Sequence, residues 1–113
     1  MRYALMICTD ESAVATEAQE AAMSKAMYEF SSEQGAAGII VGGERLRPTS
    51  ASTTVTVRSG DVVVADGPFA ETKEQIGGFF IVDCKDLDHA IEIASKVPTA
   101  QYGTIEIRPI WEM

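Results

Sequence analysis

The residues best suited to chemistry gather between positions 58 and 74. Asp66-Gly67-Pro68-Phe69 sets a carboxylate at the end of a predicted strand, directly before a Gly-Pro turn. An aspartate there can face a cavity and act as a general base, once burial or a second carboxylate makes it a stronger proton acceptor. The alternative is structural: Asp before Gly often accepts backbone N–H bonds in an Asx-type turn. Glu71, Lys73 and Glu74 follow as a charged run, framed by Gly67-Pro68 and Gly77-Gly78. Loops of this kind are common at binding sites, and Lys73 would be the cation that orients an anionic or phenolic ligand. As a plain solvated connector the run would do neither. Arg58 shares a strand face with Thr54 and Thr56. In an acidic chain such an arginine, like Arg45 and Arg108, either pairs with a carboxylate or awaits an anion. Asp66 is therefore the candidate catalytic residue, and Arg58, Phe69, Glu71 and Lys73 are the candidate ligand-binding residues.

The remaining chemistry-bearing residues point elsewhere. Cys8 and Cys84 have no CxxC spacing, and the one histidine, His89, falls on a predicted helix off its apolar stripe. No metal site is expected from such a set. The cysteines read as reduced, buried small hydrophobes. Gly42-Gly43 and Gly77-Gly78 lack both the P-loop Lys-Ser/Thr and the spaced dinucleotide fingerprint, so no cofactor is expected.

Composition narrows the partners. The 113 residues carry 17 acidic against 9 basic side chains, a net charge of −8. That balance argues against nucleic acid, whose phosphates are neutralised by Lys and Arg, and against anionic membrane. The apolar fraction of 46% and charged fraction of 23% fit one ordinary globular domain over residues 1–113. The apolar stretch at the N-terminus, Tyr3 to Cys8, is too short for a signal peptide. A cytoplasmic location is expected.

The elements that must position these residues alternate. Arg2–Cys8 reads as a central strand, apolar on both faces. Thr9, Asp10, Glu11 and Ser12 break it. Thr16 and Gln19 have capping-box spacing, and Met23, Ala26, Met27 and Phe30 form a helical stripe that Gly35 stops. Ile39–Val41 opens a strand that Gly42-Gly43 bends before Arg45–Arg47. Thr53–Arg58 and Asp61–Asp66 are the arms of a hairpin turned at Ser59-Gly60. Gly77-Gly78 leads into Phe79–Cys84, Asp86 caps a helix whose stripe is Leu87, Ala90, Ile91, Ala94 and Val97, and Thr104–Arg108 is the last strand.

The order predicts an α+β, ferredoxin-like sandwich with an inserted β-hairpin. The strands Arg2–Cys8 and Phe79–Cys84 are expected to lie side by side and parallel, bringing Cys8 and Cys84 to one sheet edge. Ala4, Met6 and Cys8 are expected to share a face with Phe80, Val82 and Cys84. Two helices cover only one side, so a homodimer stacking sheet on sheet, with a ligand cavity between the sheets, is expected.

The stretch Asp66–Asp83, DGPFAETKEQIGGFFIVD, resembles the signature of the DGPF branch of the YciI-related (YCII) family. RYALMI, GGERLRP and TTVTVRSG upstream, and DLDHAIEIASKVP and IEIRPI downstream, extend the resemblance over nearly the whole chain. It implies a ferredoxin-like dimeric α+β barrel and a small-molecule-binding protein, with cofactor-free general acid–base chemistry on a small polar or aromatic substrate as its enzymatic form. The better-studied branch has a suspected His–Asp pair. This chain has no His between its first helix and second strand, so only Asp66 carries over. DGPF members also occur fused or adjacent to sigma factors, which implies the alternative of a non-catalytic regulatory module with a protein partner in transcription.

Overall fold

The computed structural model of the protein describes residues 1–112. Strand β1 spans Arg2–Thr9, helix α1 Glu17–Ala36, β2 Ile40–Arg45, β3 Thr53–Arg58, β4 Asp61–Asp66, β5 Gln75–Asp83, α2 Leu87–Ser95 and β6 Thr104–Pro109. The strands form two sheets, one ordered β2-β5-β1-β6 and the other β3-β4 alone. Both are antiparallel. Two helices on this four-stranded sheet are compatible with a ferredoxin-like sandwich.

The helix starts follow from their caps. The Thr16 hydroxyl accepts from the Gln19 N–H while the Gln19 side chain accepts from the Thr16 N–H, so both arms of the capping box form. Asp86 caps α2 by accepting from the His89 N–H at 2.8 Å. At the other end α1 runs past Gly35 to Ala36, and the left-handed residue is Gly38, with φ +76°. Gly35 is therefore a helical residue, and the stop lies three residues later.

One face of the large sheet holds the core. Tyr3, Leu5 and Ile7 of β1 and Val82 of β5 bury against Phe30 of α1 and Ala90, Ile93 and Ala94 of α2, with Val97 beyond it. Phe30 meets Phe80 edge-on, ring centroids 5.7 Å apart. The expected α2 stripe shifts: Ile93 is buried while Leu87 and Ile91 are about half exposed.

Three expectations about the sheet are corrected by its register. β1 and β5 are antiparallel, pairing Arg2 with Asp83 and Thr9 with Gln75. The reason is topological. Helix α1 returns the chain so that β2 runs parallel to β1, and β5, antiparallel to its neighbour β2, must then oppose β1. Cys8 and Cys84 consequently lie at opposite ends of β1, the Cys84 N–H donating to the Met1 carbonyl, about 23 Å away along the strand at ~3.3 Å per residue. Phe80 and Val82, paired with Leu5 and Tyr3, share the helix-covered face, so the open face carries Ala4, Met6 and Cys8 with Phe79 and Ile81.

Glycines set the local bends. The β1–β5 register shifts between Ile7 and Cys8, opposite Gly77-Gly78, which lie inside β5 rather than before it. β2 bulges between Ile40 and Gly42 and ends at Arg45, short of Arg47. Gly43 has φ +153°, and a Cβ there would sit 2.5 Å from the Phe79 carbonyl oxygen. Gly103 is tighter: a Cβ would lie 2.2 Å from the Cys8 carbonyl oxygen, so only glycine lets β6 close on the end of β1.

Candidate functional site

A cleft of about 250 Å³ lies where β1 ends. Asp10, Glu11 and Ser12 come from the segment after β1, Thr49 from the 3₁₀ turn before β3, and Pro68, Glu71, Thr72, Lys73 and Gln75 from the β4–β5 connection. Three chain segments distant in sequence thus meet at one sheet edge.

Hydrogen bonds hold these walls in place. The Glu11 carboxylate accepts from the Thr49 N–H at 2.9 Å and from the Thr49 hydroxyl, tying the β1–α1 loop to the base of the hairpin. Asp10 accepts from the Ser12 N–H at 2.9 Å and from its hydroxyl at 2.6 Å. These bonds, with the charge of Lys73 as a smaller contribution, hold the Asp10 carboxyl below its ordinary value. Across the cleft the Gln75 amide donates to the Ala70 carbonyl at 2.9 Å, and the Thr72 hydroxyl to the Glu74 carbonyl at 2.6 Å. The Glu74 carboxylate accepts from Thr104 at 2.7 Å, pinning the connection to β6. The run is therefore held at Ala70 and at Glu74, while Glu71, Thr72 and Lys73 between them stay exposed.

The structure gathers some of the predicted residues and separates others. Glu71 and Lys73 line the cleft. Asp66 is exposed and is not among the lining residues; it lies two residues before the lining Pro68. An Asx turn at Asp66 would use the N–H two residues on, which Pro68 lacks, and the Gly67 N–H donates to the Ser52 carbonyl instead. Phe69 projects into solvent, 94% exposed. Arg58 lies at the hairpin tip, donating to the Val57 carbonyl, about 17 Å along the strand from Asp66 at ~3.4 Å per residue. Within one chain it does not reach the cleft. Asp10, Glu11, Ser12, Thr49, Thr72 and Gln75 were missed by sequence reasoning. The one signal for them was the polar run after β1, which reads equally as a strand stop.

The other candidates have structural roles. The Arg108 guanidinium pairs with Glu106. His89 Nδ1 accepts from the Lys85 N–H at 3.1 Å, completing the α2 start. Burial pushes the Cys8 thiol up, with Glu106 and Glu74 adding to it, and burial does the same for Cys84. Neither is an activated nucleophile. Among the described residues no group of three or more His, Cys, Asp and Glu could hold a metal ion. No helix among them is long and apolar enough to cross a membrane.

Comparison with known proteins identifies the relatives. A family model described as the YCII-related domain matches residues 1–113. An uncharacterized protein of Rhizobium meliloti (strain 1021) is 37% identical over 115 residues, covering 97% of this chain and 92% of its own length. The chain belongs to the YCII-related domain family.

Proposed function

We propose that this protein is a small-molecule-binding member of the DGPF branch, acting as a cofactor-free homodimer of the ferredoxin-like barrel type whose ligand enters the cleft at the end of β1. The observation that carries this reading is the convergence of carboxylate, hydroxyl and ammonium groups on one fastened cleft. Its lining sets Asp10, Glu11 and Glu71 against Lys73 as the one cation. An excess of acceptors favours a ligand rich in hydroxyl or ammonium donors, with Lys73 left to meet a single anionic or phenolic oxygen. At about 250 Å³ the cleft is smaller than ordinary ligand pockets, which run from about 300 Å³ upward, so it suits only a small molecule. In the acid–base form of the function Asp66, two residues before the lining Pro68, would be the group that accepts a proton from such a ligand. The second copy would cover the open face of Ala4, Met6, Phe79 and Ile81.

A thermal-shift screen of small polyols, amino alcohols and phenols tests the reading. A binder at about 100 times its dissociation constant adds about 2.7 kcal/mol to stability and raises the melting temperature. Lys73→Ala and Asp66→Asn should each diminish that rise without lowering the unliganded melting temperature. Hits indifferent to both substitutions would place the ligand elsewhere and contradict the reading.

A further inference from the structure

The β3–β4 hairpin forms a sheet of its own, with which no other strand among the described residues pairs. Its register sets Val55 opposite Val64 and Val57 opposite Val62. Alternation puts all of these on one face, with Thr53 and Asp66 at its base. The valines are 57–65% exposed, and Val63 on the opposite face is 51% exposed. A lone two-stranded ribbon is marginal in water, and cross-strand valine pairs gain little until something covers them.

We propose that this valine face seats a second copy of the chain, face to face about a two-fold axis, and so brings the partner's arm beside Asp66, two residues before the cleft-lining Pro68. The inference rests on the homodimer reading and gives that dimer a contact separate from the open sheet face. Surface area is the first argument. The chain exposes 8137 Å², against about 6,000 Å² for a folded monomer of 12.1 kDa. The surplus of roughly 2,100 Å² falls within the roughly 1,000–2,500 Å² that each partner buries in an intimate dimer. The shape agrees, with a radius of gyration of 16.0 Å where about 13 Å is usual for this length.

Charge supplies the second argument. Two copies at −8 each repel, so close contact is tolerated only where like charges are absent. Between Asp66 at the base and the turn at the tip, the valine face carries no charge, while the opposite face ends on the Arg58 and Asp61 pair. Val55/Val64 and Val57/Val62 also form a patch that is the same on both copies, as a two-fold contact requires. Because Asp66 closes this face two residues before Pro68, a seated partner shields one side of the cleft.

Sedimentation equilibrium of the whole chain tests the proposal. Wild type is expected at twice 12.1 kDa. Val55→Lys with Val64→Lys should halve that mass with far-UV circular dichroism unchanged, and Val63→Lys on the opposite face should leave it dimeric. Should the lysine pair unfold the arm, Val57→Thr with Val62→Thr keeps shape and strand preference while removing apolar surface, and should weaken the dimer about tenfold or more. A wild type that is monomeric at every concentration would overturn both the homodimer and the arm contact. A dimer unmoved by either pair, or one lost equally in Val63→Lys, would overturn the arm contact alone.

Discussion

The large sheet and the hairpin spend the same residue types differently. Both are antiparallel, and both alternate apolar side chains. Leu5 and Val82 of the large sheet are completely buried beneath α1 and α2, whereas Val55 and Val64 of the hairpin are more than half exposed. What separates them is a cover: two helices lie on the first, and among the described residues the valines of the second stay exposed. An apolar strand face is therefore an instruction to be covered and does not itself say by what. The cleft sits where these two regions meet, with Glu11 at the end of β1 bonded to Thr49 at the foot of the hairpin.

Substitutions can break or sharpen that contrast. The largest effect belongs to Leu5→Ala, which removes a side chain with no exposure and should cost about 2–5 kcal/mol in chemical denaturation. Gly103→Ala forces a methyl onto the Cys8 carbonyl and should cost about 1–3 kcal/mol by the same measurement, with loss of the β1–β6 pairing next to the cleft. Thr16→Ala removes the helix cap of α1 and should cost about 1 kcal/mol. Val64→Ala in the hairpin should change the stability of the monomer by less than about 0.5 kcal/mol, although it removes the same atoms that a core valine buries. A large loss there in the monomer would mean that the arm is covered from within.

The smallest effect is electrostatic. Ser12 holds the Asp10 carboxyl below the ordinary aspartate value of about 3.9. A group depressed on folding contributes stability that is complete above its unfolded value and fades as pH falls through the folded one. The Asp10–Ser12 contribution should therefore be constant at neutral pH and disappear only below about pH 4. An NMR titration should find the Asp10 midpoint below that of an unstructured aspartate, and Ser12→Ala should move it upward.

How much of this was legible depends on the range of the interactions. The hairpin bounds Thr53–Arg58 and Asp61–Asp66 follow from local alternation and from Ser59-Gly60, whose φ values of 51° and 82° suit a tight turn. The Thr16–Gln19 and Asp86 caps are local too. The direction of β5 was not legible, because a strand apolar on both faces reads the same whichever way it runs. Its register depends on a bulge opposite Gly77-Gly78, set by pairing across the sheet. Glu71 and Lys73 stand out in the sequence because small residues frame them, and both line the cleft. The Glu11–Thr49 pair spans 38 positions, and no local pattern announces it. Sharing a hairpin with Asp66 does not reveal that Arg58 lies at the opposite end of it, away from the cleft.

Concentration-dependent amide exchange tests the contrast between the two regions most directly. The amides of Tyr3–Ile7 belong to a sheet covered by its own helices, and their protection should not change on dilution. Those of Thr54, Thr56, Val63 and Ala65, which bond across the hairpin, should be protected in concentrated protein and lose that protection as the dimer dissociates. Hairpin protection that is independent of concentration, or absent throughout, would contradict an arm that is completed by a second copy.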